Sequence, residues 1–184
     1  MAPLDIPVID VPPSKKLDDM AQELQDVIAT VGFLHLTLRS LDISQDEVND
    51  VFRVHKALYE SPLSERAAHP FSTEHRNGYK GLSESQLAEK AGAAGDYRES
   101  YVFGHFRAPS TSPDQPLPPV LEQNKATLEA FHRKAHAAVC RILDALSVSL
   151  NMPKEYFSER HSLGMNSISL INCELERCAV GLSA

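Results

Sequence analysis

Apolar residues recur along this chain in blocks whose period changes from segment to segment. Ile6-Pro7-Val8-Ile9-Asp10 is a short apolar run with Pro near its start, which suits an edge strand or the first position of a strand. Pro12-Pro13-Ser14 stops that run and can cap a helix. Leu17, Met20, Ala21, Leu24, Val27, Ile28 and Val31 then recur at steps of three and four. That spacing predicts an amphipathic helix of about five turns, with Lys16, Asp18, Asp19, Glu23, Gln25 and Asp26 on its solvated face. Gly32 stands where a C-cap belongs. Phe33 to Leu38 reads as a strand, with Leu34, Leu36 and Leu38 on one face and His35 on the other beside Phe33 and Thr37.

The next block opens with Ser44-Gln45-Asp46-Glu47, the S-x-x-E form of a capping box. Val48, Val51, Phe52, His55, Leu58 and Tyr59 follow at helical spacing. Ser61-Pro62 ends that helix, because the residue before Pro avoids the α region. Leu63-Ser64-Glu65-Arg66 reads as one further turn, and His69-Pro70 to His75 as loop.

Arg76 to Gly104 reads as two short extended segments joined by a long polar, Ala/Gly-rich surface loop. Gly78 and Gly81 bracket Tyr79, as where a backbone turns or approaches another group closely. Ser100-Tyr101-Val102-Phe103 is β-branched and aromatic, as strands prefer. Pro109, Pro113, Pro116, Pro118 and Pro119 make the following segment a linker. The longest periodic block runs from Val120 to Leu150, a single helix of about 45 Å if unbroken. Its stripe is Leu121, Asn124, Leu128, Phe131, Ala135, Val139, Ile142, Leu146 and Leu150. His132 and His136 share a helix face, but the Glu of H-E-x-x-H is missing, so a solvated face is expected there. Leu163 to Ile171 reads as a turn into a strand.

Composition narrows the class. With 184 residues, 42% hydrophobic and 23% charged, the chain can build one globular core. A net charge of −7 disfavours a nucleic-acid partner. No apolar run is long enough to span a membrane, and the N-terminus has no secretory pattern, so a cytoplasmic location is expected. Cys140, Cys173 and Cys178 read as reduced thiols rather than a zinc site.

Four motifs, in order, resemble one family. They are Ile6-Pro7-Val8-Ile9-Asp10, Gly32-Phe33-Leu34, the stretch Leu58 to Arg66, and Arg76-Asn77-Gly78-Tyr79 followed by Glu99-Ser100-Tyr101. Asn166 to Ile171 extends the match. The pattern is similar to the isopenicillin N synthase-like, non-haem Fe(II)/2-oxoglutarate-dependent oxygenases. Two departures stand out: Thr37-Leu38-Arg39-Ser40 replaces an N-H-G, and Ser169 stands where relatives commonly place Arg. The resemblance implies an α+β chain, the N-terminal helical and strand region of a double-stranded β-helix (jelly-roll) oxygenase with most of the barrel missing. It divides the chain into residues 1–108 (dioxygenase N-terminal region), 109–119 (linker), 120–150 (barrel-packing helix), 151–171 (start of the barrel) and 172–184 (divergent tail).

The family's chemistry needs two His and one carboxylate on Fe(II), beside 2-oxoglutarate. No histidine here is followed two places later by Asp or Glu, and none follows His161. The resemblance therefore implies a truncated member that is inactive as written and binds neither Fe(II) nor 2-oxoglutarate. An early stop, a frameshift or altered splicing would produce one. It also implies a small-molecule substrate in full-length relatives, with Arg76 and Tyr79 on the substrate side. An ordinary surface ion pair fits Arg76 equally well. The alternative is a non-catalytic fragment or interaction module that self-associates through its uncovered helix face and strand edge.

Overall fold

A parallel strand pair forces a crossover, and the chain builds one at its start. In the computed structural model, which describes residues 5–73, 76–81, 98–104 and 116–173, β1 (Val8–Ile9) pairs in parallel with β2 (His35–Leu36). The helix α1 (Leu17–Thr30) connects them. Then come α2 (Gln45–Glu60), α3 (Leu63–Ala67), β3 (Gly78–Lys80), β4 (Arg98–Gly104), α4 (Pro119–Gln123), α5 (Lys125–Ser149) and β5 (Ser167–Cys173). Short 3-10 turns lie at Leu38–Leu41, Ser158–Arg160 and Leu163–Met165. The chain divides into two units, 1–50 with 127–163, and 51–126 with 164–184.

In the first unit, Ile9, Val11, Met20, Leu24 and Ala145 form the buried cluster. Leu17, Val27, Leu34, Leu36, Ile142 and Leu146 pack around it. Ile142 and Leu146 of the α5 stripe thus find their cover here; Leu128 is also fully buried, while Val139 stays 40% exposed. Arg141 Nε donates to the Val11 carbonyl at 3.1 Å, and its Nη2 donates to the Lys15 carbonyl. The capping box is formed as expected: the Glu47 amide donates to Ser44 Oγ at 3.2 Å, and the Ser44 amide to Glu47 Oε2 at 2.8 Å.

Several elements depart from the sequence reading, each for a local reason. α1 begins at Leu17 with no side-chain cap, so Pro12-Pro13-Ser14 makes a turn rather than a capping site. Only His35–Leu36 of the expected 33–38 strand pairs. Thr37 and Ser40 both bond Asp10, and the chain curls there into a 3-10 turn. The expected 120–150 helix is broken at Asn124, whose side-chain amide donates to the Val120 carbonyl at 2.8 Å. His132 is 6% exposed, so the solvated-face reading fails for it; burial also holds its imidazolium below the ordinary value. Most of the 109–119 linker and the 172–184 tail, and the loop between β3 and β4, lie outside the described residues.

The second unit carries an antiparallel sheet in the order β3-β4-β5. Tyr79 pairs with Tyr101, which pairs with Leu170, and all three are buried. Glu99 and Asn172 form the neighbouring pair on that face. The period of two puts Ser167, Ser169, Ile171 and Cys173 on the exposed side of β5.

Candidate functional site

The Arg76-Asn77-Gly78-Tyr79 turn is built by a tight backbone fold against residues 69–72. The Tyr79 amide donates to the His69 carbonyl, the Phe71 amide to Tyr79, and the Ser72 amide to Asn77, each at 2.8 Å. Gly78 has φ 111, and a Cβ there would meet the Pro70 carbonyl oxygen at 2.5 Å and the His69 carbonyl oxygen at 2.9 Å. Glycine is required twice over, by conformation and by space. Arg76 has φ 53, a left-handed conformation uncommon for a residue with a side chain, and it is exposed.

Behind the turn lies a buried polar network. Arg66 (7% exposed) and Glu99 (5%) form an ion pair, Arg66 Nη2 to Glu99 Oε2, at 3.3 Å. Tyr79 donates its hydroxyl to the same Oε2 at 2.5 Å. Asn172 Nδ2 donates to Glu99 Oε1 at 3.0 Å. Arg66 Nη1 donates to the carbonyls of Leu58, Tyr59 and Ser61 at 3.4, 3.2 and 2.5 Å. These are carbonyls at the end of α2, where helix groups lack intrahelical partners and cations are favoured. The guanidinium also lies over the Tyr59 and Tyr79 rings at 5.4 and 5.7 Å. Tyr59 donates to the Leu170 carbonyl at 2.5 Å, and His55 Nε2 is 2.8 Å from the Ile171 carbonyl. One charged pair thereby joins α2, α3 and all three strands.

The electrostatics say what this network can do. Burial, then the hydrogen bond to Glu99, pushes the Tyr79 phenol up to about 12. Burial also pushes up Tyr59 and Tyr101, with the Glu99 charge adding to the effect on Tyr59. All three phenols stay protonated at neutral pH; Tyr59 and Tyr79 serve as donors, while the buried Tyr101 hydroxyl has no hydrogen-bond partner among the described residues. The network holds the turn in place.

Of the two site residues expected from sequence, Arg76 is solvent-facing and Tyr79 is a buried anchor of the same turn. Sequence reasoning missed the pairing of Arg66 with Glu99. The signal was present, since Arg66 closed one matched motif and Glu99 opened another. Among the described residues no group of three or more His, Cys, Asp or Glu side chains is arranged to hold a metal, and no helix is long and apolar enough to cross a membrane.

Comparison with known proteins follows the same outline. The family model for the non-haem dioxygenase in morphine synthesis N-terminal region matches residues 6–125. A UPF0676 protein of Schizosaccharomyces pombe is 25% identical over 163 residues, which cover 88% of this chain and 49% of that protein. A full-length protein of Neurospora crassa, solved in complex with alpha-KG and thymine, is similar with a TM-score of 0.65 at 22% identity. It is matched over 83% of this chain and 50% of its own. A 2OG-Fe(II) oxygenase family protein from Caulobacter crescentus gives a TM-score of 0.68 at 18% identity, over 83% of this chain and 51% of that one. The chain spans about half the length of these relatives. The structural likenesses show the fold: this is a mixed helix and strand arrangement shared with about half of a jelly-roll oxygenase.

Proposed function

The chain belongs to the non-haem dioxygenase N-terminal family of the 2-oxoglutarate/Fe(II) oxygenases; from that premise we propose that it forms the substrate-side scaffold of a small-molecule oxidoreductase. The reaction class is hydroxylation, desaturation or cyclisation. The observation that carries this reading is the family match over residues 6–125, on a fold shared with solved 2-oxoglutarate oxygenases.

The residues at hand do not fit the family's metal. A facial triad takes two His and one carboxylate. No His-x-Asp or His-x-Glu occurs in the 184 residues, and no three-ligand group forms among the described ones. On this reading, Fe(II) and 2-oxoglutarate are held by residues other than these, and the 184-residue chain alone is inactive. Arg76 and Tyr79 have divided substrate-side roles. The exposed guanidinium of Arg76 pairs with an anionic substrate group, and Tyr79, tied to Glu99, fixes the turn that presents it.

Anaerobic addition of Fe(II) and 2-oxoglutarate to the 184-residue chain tests the first half: no visible charge-transfer band is expected, and a band overturns it. Reading the transcript past the codon for Ala184 in all three frames tests the second. His-x-Asp, a distal His and Arg-x-Ser are expected there, and their absence from every frame refutes the proposed oxidoreductase activity.

A second, non-catalytic reading is favoured by exposed apolar side chains. Phe52, Leu63 and Ile171 lie open in one unit, and Val8, Phe33 and Val139 in the other. On that reading the chain self-associates, and sedimentation at rising concentration shows a growing mass. A constant monomer mass excludes it.

A further inference from the structure

The segment that follows α5 is fastened back onto that helix at three points. The Phe157 amide donates to Ser147 Oγ at 3.4 Å, and Ser158 Oγ donates to Asp144 Oδ1 at 2.5 Å. The His161 ring stacks on His136, with centroids 5.4 Å apart and planes 15° from parallel. As the segment advances from 157 to 161, its helix partners retreat from 147 to 136. The segment therefore runs antiparallel to α5 and ends on the imidazole pair.

We infer that the His136–His161 stack is an acid-sensitive clasp that holds residues 158–163 on α5 and opens when both rings carry a proton. A neutral pair stacks as two aromatic rings, and a singly protonated pair keeps a cation against a π face. Two protons put like charges face to face across a partly buried contact. Imidazole is the side chain whose unperturbed titration falls where modest acidification acts.

The surrounding groups bear on the same pair. On α5, His132 lies one turn before His136, with Arg133 beside it. Cys140 lies one turn after, its Sγ 3.4 Å from His136 Nε2. Burial, then Asp144, raises the Cys140 thiol, so this neighbour is neutral. Asp144 is engaged by Ser158. From the returning segment, Arg160 turns to Tyr156, lying 4.0 Å from its ring centre and bonding its carbonyl. Burial, then the His161 charge, holds the His136 imidazolium below its ordinary value.

The test is a histidine NMR titration and hydrogen exchange on the 184-residue chain. His161→Phe keeps a ring in the stack and removes its charge. In that variant the His136 midpoint is expected to rise. In the wild type, between about pH 7.5 and about pH 5, protection corrected for intrinsic exchange is expected to fall at the amides of Glu159, Arg160 and His161. These amides donate to the Glu155, Phe157 and Ser158 carbonyls. An unchanged His136 midpoint overturns the inference, as does protection that is independent of pH or lost across the whole chain at once. Should His161→Phe fail to fold, the wild-type exchange pattern decides alone, since only a loss confined to 158–163 supports the clasp.

Discussion

Tyr79 donates a hydrogen bond from its hydroxyl to Glu99 Oε2 at 2.5 Å, and through that bond the Arg76–Tyr79 turn is locked to the buried partner of Arg66. The two tyrosine-side and arginine-side bonds end on the same oxygen, Glu99 Oε2, while Asn172 takes Oε1. A carboxylate so satisfied tolerates burial; one stripped of its cation does not.

Glu99→Gln should therefore cost about 3–5 kcal/mol of folding stability, because Arg66 is left charged and buried without its partner. Tyr79→Phe removes one bond to a charged acceptor and should cost about 1.5–3 kcal/mol. Urea denaturation of both single variants and the double variant checks this. The double variant should lose less than the sum, since both changes break the same bond.

Opposite outcomes are expected two residues apart in the turn. Gly78→Ala must adopt φ 111 with its Cβ 2.5 Å from the Pro70 carbonyl oxygen, and should lose at least about 1–3 kcal/mol. Arg76→Gly removes a left-handed non-glycine residue and should relieve about 1 kcal/mol. Thermal melts should move down for the first and up for the second. If the proposed substrate-side role holds, Arg76→Gly in the full-length enzyme also weakens binding of an anionic substrate.

How much of this was legible beforehand depends on the range of the cause. Helix α2 was readable because its signals are local: Ser44 and Glu47 cap one end and Pro62 closes the other. The paired strands at Gly78–Lys80 and Arg98–Gly104 were visible in their glycines and aromatics. The shortening of the second strand was not, because Asp10 reaches Thr37 and Ser40 across 27 and 30 residues. The helix break at Asn124 hid inside an unbroken apolar stripe, since period alone does not report a side chain competing for a backbone carbonyl. Arg66 and Glu99 are 33 residues apart, and each alone looks like a surface charge.

The capping box separates into two contributions. Ser44→Ala removes only the cap and should cost about 1 kcal/mol. Glu47→Gln can still reach back to the Ser44 amide but loses its ion pair with Lys134, at 2.8 Å. Its effect should shrink as salt is raised, whereas that of Ser44→Ala should not. Denaturation midpoints at low and high salt distinguish them.

The acid limb of stability should carry a contribution from Asp10. Ser40 first, then Thr37, donate to its carboxylate and hold it below its ordinary value of 3.8. A depressed folded value means that the unfolded chain takes up a proton first as the pH drops. Stabilisation is then fully present above about pH 4 to 5 and is lost as the pH falls through the folded value. Asp10→Asn removes this titration, so its stability should change less between neutral and acidic pH than that of the wild type. The same substitution leaves the Val11 amide bonded to Ser40 Oγ at 2.7 Å, so the β1 end of the contact should persist. Denaturant midpoints measured for both proteins from neutral pH downward give the comparison. Parallel acid limbs would mean that the hydroxyl pair does not hold Asp10 ionised in solution.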